Sequence, residues 1–468
     1  MRILHIAAEA VPFVKTGGLS DVLGALPKAL AASGSDEVRV ALPLYASVPK
    51  LYRRKMQPVG EVVVPLAWRE QPCRIYSLKY GGVIFYFFEN AFYFDRDRVY
   101  GYHDDHERFA FFSKAVLTAL PRLGFSAEVL HLHDWHTAPV SFFLKTQYQD
   151  NPYYDKIKTV LTLHSMAYQG IFGREIVGDV LGLAERYAEP SELGAAGGIS
   201  YLKGGIRYAD AVTTVSGAYA EELRSEGSPY PKDAAEKLVG IKNGIDTKIF
   251  NPEKDKELFA NYSDKLLEKR KQNKTKLKED LELAAGDKPL VGIVARLARE
   301  KGFSVLLPAM ERILSLGVQV PILGEGELAY QEELLLLEER FRSEMAVCIG
   351  FDERMAKRIY AGSDIFLIPS LTEPCGLSAM LAMRYGSVVI ASSVGGLTDS
   401  VIPYGKKGAN GFLFEVNSES KMLAAIREAV EMYPNKRRWN KLIRTAMAKD
   451  HSWQQSAQEY LALYRTLL

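Results

Sequence analysis

Apolar residues dominate Arg2-Ile-Leu-His-Ile-Ala-Ala8 without a helical period, a pattern that predicts a buried strand. A loop carrying Pro12, Lys15, Gly17 and Gly18 follows. Leu19, Val22, Leu23, Leu26 and Leu30 then recur at i, i+3, i+4, i+7 and i+11, one face of a helix, with Gly34 beyond it as a stop. Further strand patterns lie at Val38-Ala41, Val83-Phe88, Val129-His133, Thr159-Leu163 and Ala211-Val215, with helical stretches such as Phe109-Leu120 and Ala138-Lys145 among them.

The texture changes after Asn243-Gly-Ile-Asp246. Residues 253–288 mix Lys/Arg with Asp/Glu densely, which predicts a solvated helical excursion. Alternation then restarts with strands at Leu290-Val294, Val318-Leu323, Val347-Ile349, Ile365-Pro369 and Val388-Ala391. Helices are expected at Val305-Leu314, Gln331-Phe341, Met355-Ala361 and Gly376-Tyr385. Pro321 inside one of these strands predicts a sheet edge or an early end there, because proline cannot donate to the ladder. Trp453 to Leu467 reads as a final helix. Strand–helix alternation occurring twice predicts an α/β protein of two parallel-sheet, Rossmann-like domains. The expected spans are 1–246, 247–450, and a C-terminal helix in 451–468 packing back on the first domain. Ligands of such sheets sit beyond the carboxyl ends of the strands, so polar residues there are the candidates.

Length agrees with this division, since 468 residues exceed what one core usually supports. Lys and Arg total 59 against 57 for Asp and Glu, so bulk charge gives no reason to expect nucleic acid or an anionic membrane as partner. Any positive site must be local. Three widely spaced cysteines, Cys73, Cys348 and Cys375, fit neither a zinc pattern nor a disulfide framework and suggest a reducing compartment. Met1–Ala10 carries Glu9 and lacks the features of a signal peptide, and no apolar run approaches the roughly 18 residues that span a bilayer. The expected location is cytoplasmic.

Two loops carry cations at strand ends. Lys15-Thr-Gly-Gly-Leu-Ser-Asp21 joins glycines, which allow close backbone approach, to a helix N-terminus and a lysine; it reads as a phosphate site or a tight structural turn. Ala295-Arg296-Leu-Ala-Arg-Glu-Lys301-Gly302 offers a guanidinium fork and a mobile ammonium, a pair suited to a pyrophosphate, against the alternative of a solvated surface loop. Gly324-Glu-Gly326-Glu-Leu-Ala329 formally fits a dinucleotide loop, but Glu325 and Glu327 would repel a diphosphate.

His133-Asp134-Trp135-His136, His164-Ser-Met-Ala-Tyr168-Gln-Gly170 and Glu373-Pro-Cys-Gly-Leu377 each follow a strand. No H-E-x-x-H spacing occurs, and no metal site is expected. Asp134 and Glu373 read as acceptors for sugar hydroxyls. Trp135 or Tyr168 offers a wall for a pyranose face or else packs in the core.

Taken in order, these motifs resemble the bacterial glycogen synthases and plant starch synthases, family 5 glycosyltransferases of GT-B fold. Tyr201-Leu-Lys-Gly-Gly205, Asn243-Gly-Ile-Asp246, Pro369-Ser370, Gly395-Gly-Leu-Thr-Asp399 and Ser452-Trp453 extend the match almost end to end. The resemblance implies two domains facing a central cleft. It implies glucosyl transfer from ADP-glucose to the non-reducing end of an α-1,4-glucan, with retention at the anomeric carbon and no cofactor. It places Lys15, Gly17, Gly18, Asp21, Asn243, Arg296, Lys301, Phe351, Glu373, Cys375, Gly376, Leu377, Gly395 and Gly396 on the donor. His164, Glu373, Arg296, Lys301 and Asp134 would be catalytic, with His164 near the anomeric centre, and Glu9 and Tyr168 would face the acceptor.

Several positions depart from the family pattern. Ser165 stands where many members have Asn, Thr372 replaces an aromatic residue, and Leu381 takes the second position of the E-x7-E signature found in related enzymes. The sequence leaves open ADP-glucose against UDP-glucose, a different acceptor, a non-catalytic sugar-binding role, and the oligomeric state. Phe351 reads as a base-stacking residue or a core residue.

Overall fold

The computed structural model describes residues 1–32 and 34–468. The chain divides into two compact units. The first comprises Met1–Val215, Ala220–Gly244 and Trp453–Leu468; the second comprises Ser216–Tyr219 and Ile245–Ser452.

In the first unit the strands are β1 (Arg2–Ile6), β2 (Glu37–Pro43), β3 (Gln57–Leu66), β4 (Arg69–Tyr80), β5 (Val83–Glu89), β6 (Val129–His133), β7 (Lys158–Leu163), β8 (Ile171–Phe172), β9 (Gly194–Ala195), β10 (Gly198–Ser200), β11 (Ala211–Thr214) and β12 (Leu238–Gly240). Nine of them form one sheet in the order β12-β11-β7-β6-β1-β2-β5-β4-β3, and β8, β9 and β10 form a small antiparallel one. The large sheet is parallel from β12 to β5, whereas β4 runs antiparallel to both neighbours. The antiparallel flank lay outside the sequence expectations. Pro58, Pro65 and Pro72 and an exposed outer face disguise β3 and β4 as loop, a composition tolerated at a sheet edge.

At the centre, β7, β6 and β1 are consecutive neighbours. Their carboxyl-end loops, beginning at His164, Asp134 and Ala7, therefore emerge side by side. The helix Gly18–Ala31 buries Leu19, Val22, Leu23, Leu26 and Leu30, the periodic positions of the sequence. The C-terminal helix Trp453–Leu467 belongs to this unit, packs on Gly18–Ala31, and buries Trp453, Tyr460, Leu461 and Tyr464.

The second unit carries β13 (Val291–Val294), β14 (Val320–Gly324), β15 (Met345–Ile349), β16 (Ile365–Ile368), β17 (Val388–Ser392) and β18 (Gly411–Phe414) in a parallel sheet ordered β15-β14-β13-β16-β17-β18. Pro321 lies in β14, which has neighbours on both sides, so the expected edge position is corrected. The proline is accommodated because pairing with β13 is interrupted there: Leu290 pairs with Gln319, and the ladder resumes at Ile293 with Ile322.

The charged stretch 253–288 is α-helical over Arg270–Asp280, exposed on one face as expected, but its other face points polar groups inward: Lys274 Nζ lies 2.8 Å from Asp364, and Arg270 Nε donates to the Tyr385 carbonyl at 3.2 Å. Charge density signalled exposure, but pairing paid for burial.

Candidate active site

In the first unit, the loop after β1 folds around Glu9. The Thr16 amide and hydroxyl both donate to Glu9 Oε2, at 2.6 and 2.9 Å. Burial nevertheless pushes the carboxyl up to about 7, with the charge of Asp21 adding to the rise and the Thr16 bonds opposing it. Lys15 Nζ pairs with Asp21 Oδ1 at 2.7 Å, so the cation and the acid of this loop meet at the start of the helix Gly18–Ala31. Gly17 precedes that helix in extended backbone, and a Cβ built there meets nothing within 4 Å. Backbone is open to approach at this point.

Asp134, at the end of β6, holds φ +58°, a costly conformation for a residue with a side chain. Its Oδ1 accepts from the His164 amide at 2.8 Å, tying the loop after β6 to the loop after β7. Burial raises this carboxyl to about 7 as well, against the amides of His164 and Ser165, and Glu9 contributes repulsion. Two carboxyl groups poised near neutrality thus belong to one set of neighbouring loops.

Trp135 settles into the core. Its ring stacks on His136 at 4.0 Å and meets Phe109 and Phe172 edge-on, so it supplies no exposed sugar wall. Tyr168 remains 48% exposed. Gly170 sits at φ +60° with the Trp135 ring 2.7 Å from where a Cβ would stand, which is why AYQG ends in glycine. Lys203 of the YLKGG motif donates to the carbonyls of Pro190 and Gly194, both at 2.6 Å, and braces a loop. Asn243 is buried, with its backbone N–H donating to the Val215 carbonyl and its side-chain Oδ1 unpartnered.

In the second unit, loops after β13, β14, β16 and β17 emerge from contiguous strands. Lys301 Nζ donates to Glu373 Oε2 at 2.7 Å, and Ser370 Oγ donates to the same oxygen at 3.0 Å. Arg296 is half exposed and pairs with Glu300 at 2.6 Å. Gly302 has φ +80°, and a Cβ there would stand 1.9 Å from the Pro369 carbonyl oxygen, so the Lys301 loop lies directly on the strand end that leads to Glu373. Gly395 and Gly396 pack equally closely on the carbonyls of Glu373 and Cys375, with the Gly396 amide donating to Glu373 O at 3.0 Å. Gly376 and Leu377 open the helix Leu377–Arg384. Phe351 is 71% exposed, so it is no core residue.

The glycine pair 324 and 326 acquires a structural role that the sequence did not disclose. A Cβ on either would strike the carbonyl of Ala295 or Leu297 at 2.1 Å, and the Glu327 amide donates to Leu297 O at 2.8 Å. These glycines buttress the Arg296 loop.

Sequence reasoning also missed a row of histidines. His5 on β1 pairs in register with His131 on β6, and His133 lies two residues further on the same face. His5 Nδ1 is 3.1 Å from His133 Nε2, and His133 Nδ1 is 3.1 Å from His164 Nε2. The H-x-H alternation of β6 was the available signal. Among the described residues, nitrogens of His5, His131 and His133 form the only group of His, Cys, Asp or Glu donors close enough to hold a metal ion, within 4.8 Å of one another. His131 already commits both nitrogens, to Tyr464 OH and Thr162 Oγ1, and His133 both of its own to histidines.

Known proteins resemble the chain along its whole length. Residues 2–233 match the model of the starch synthase catalytic domain, and residues 273–445 match that of glycosyl transferases group 1. The chain is 43% identical to the glycogen synthase of Desulforamulus reducens over 476 residues, covering 100% of this chain and 99% of that protein. It is 43% identical to that of Caldicellulosiruptor saccharolyticus over 477 residues, covering all of both. The catalytic domain of starch synthase IV from Arabidopsis thaliana, bound to ADP and acarbose in its structure, superposes with TM-score 0.93 at 32% identity over 99% of each chain. Sucrose-phosphate synthase from Thermosynechococcus elongatus shares the fold, with TM-score 0.65 at 20% identity over 100% of this chain and 98% of the other.

Two Rossmann-like α/β domains with these loops define a glycosyltransferase of the GT-B class. The chain belongs to the glycogen synthase and starch synthase family. No helix among the described residues is long and apolar enough to cross a membrane.

Proposed function

We propose that this glycosyltransferase lengthens an α-1,4-glucan at its non-reducing end with glucose from ADP-glucose, retaining the anomeric configuration and requiring no cofactor or metal. The Lys301–Glu373 pair carries the reading. Its ammonium and carboxylate meet at the carboxyl ends of adjacent strands β13 and β16, where the cation would take a phosphate and the acid a sugar hydroxyl. We assign the acceptor to the first unit and the nucleotide-sugar to the second. In the second unit, Arg296, Lys301 and the backbone at Gly395 and Gly396 would hold the diphosphate, aided by the Cys375–Leu377 turn, with Glu373 on the transferred glucose and exposed Phe351 on the base. In the first unit, Lys15, Gly17, Gly18, Asp21 and Asn243 are candidates for phosphate contact, Asp134 and His164 for the transferred glucose, and Glu9 and Tyr168 for the acceptor.

Breaking the glycosyl–phosphate bond gathers positive charge at C1 and negative charge on the diphosphate. Cations aimed at the leaving phosphate stabilise that state more than the ground state. The acceptor hydroxyl attacks from the face the phosphate leaves, and the departing phosphate oxygen takes its proton. Cys73, Cys348 and Cys375 form no disulfide among the described residues, which supports a reducing, cytoplasmic setting.

Initial rates with ADP-glucose and UDP-glucose on glycogen test the reading. Lys15→Ala and Arg296→Ala are each expected to lose on the order of a hundredfold in rate. Near-normal turnover in both, or preference for UDP-glucose, would overturn the corresponding part.

A further inference from the structure

We propose that His5 and His133 are positioning residues that hold His164 in the tautomer carrying its proton on Nδ1. This rests on the reading that His164 faces the transferred glucose.

The histidine row has a sealed end and an open end. His5 and His133 are completely buried in the middle of the sheet, whereas His164, at the carboxyl end of β7, keeps some exposed surface. Each contact, at 3.1 Å, has room for one proton. Burial holds His5 and His164 down at about 3 and His133 well below its ordinary value, so the row is neutral at physiological pH. Two neutral orderings exist. In one, His5 Nδ1–H donates to His133 Nε2, His133 Nδ1–H donates to His164 Nε2, and His164 carries its proton on Nδ1. In the other every proton is reversed, and His5 must carry an N–H on Nε2.

The sealed end decides between them. His5 Nε2 is buried and has no hydrogen-bond partner. A bare acceptor lone pair is tolerated in such a place more readily than an orphaned N–H. His131 cannot relieve the orphan, for it stacks on His133 at 4.3 Å with its own nitrogens taken by Tyr464 and Thr162. The favoured ordering therefore runs outward and delivers an uncharged N–H donor at the open end. That suits a hydroxyl or phosphate oxygen of the donor sugar, whereas an imidazolium would oppose the positive charge gathering at C1.

The test is a two-bond 1H–15N spectrum of the full-length protein labelled with 15N-histidine, with the His164 signals assigned by their loss in His164→Gln. The expected result is a single Nδ1–H tautomer for His164. His5→Met, whose thioether can accept but not donate, allows His133 to carry its proton on Nε2 and should yield a mixed or reversed His164 tautomer, with kcat about tenfold lower and little change in KM for ADP-glucose. His5→Asn, which can donate to His133 as His5 does, should keep the wild-type tautomer and turnover. An Nε2–H His164 in the unmodified protein, or a His164 tautomer unaltered in folded His5→Met, would overturn the proposal. The spectrum reads the proton's position whether or not His164 touches sugar. Full turnover in His164→Ala would instead sink the reading of the site.

Discussion

Lys301 and Glu373, 72 residues apart in sequence, meet in a 2.7 Å ion pair that joins the loops after β13 and β16. Glu373 is held a second time by Ser370, and the Gly395–Gly396 turn lies directly on its carbonyl. A cation and an acid fixed together in this way can part company over a ligand that carries both phosphate and sugar hydroxyls.

Replacing Lys301 by Ala is expected to lower turnover about a hundredfold, the usual cost of one preorganised charge on a developing anion. Glu373→Gln preserves shape and should abolish most transfer while leaving the melting temperature within a few degrees. Initial-rate kinetics beside thermal melts distinguish these outcomes from a folding defect.

Stability should fall as pH rises through the weakly acidic range. Burial raises Glu9 from 4.5 and Asp134 from 3.8, both to about 7. Between those limits the folded state binds more protons than the unfolded state, so each unit of pH costs folding free energy until about pH 7, where the loss levels off. Melting temperatures of wild type and Glu9→Gln from pH 4 to 8 check this. The variant should show a shallower decline.

Two glycines should behave oppositely. Gly170→Ala forces a side chain at φ +60° into the Trp135 ring and is expected to cost roughly 2–4 kcal/mol by urea unfolding. At Gly17 the backbone is extended and the space open, so Gly17→Ala should leave stability nearly unchanged. Its expected effect is a raised KM for ADP-glucose.

Tyr464→Phe removes a 2.7 Å hydrogen bond to buried His131. A loss of about 1–2 kcal/mol is expected in denaturant unfolding, since the histidine keeps a polar atom without its partner. Catalysis should change little.

Hydrophobic periodicity alone marked the central strands β1, β6, β7, β13 and β16 and the helices beside them, because buried parallel strands must be apolar on both faces. Motif order pointed to the family, and strand ends pointed to Lys15, Asp134, His164, Arg296, Lys301 and Glu373. Local pattern could not reveal the β3–β4 flank, whose prolines and charges suit an edge, nor the inward turn of Lys274 toward Asp364, because burial of charge depends on a partner distant in sequence. Tertiary structure alone decided that Trp135 is core, that Gly324 and Gly326 support the Arg296 loop, and that His5, His133 and His164 line up. A sequence specifies what each residue can offer. Which residues receive the offer is set by strand order and register, and these emerge only when the whole sheet closes on its core.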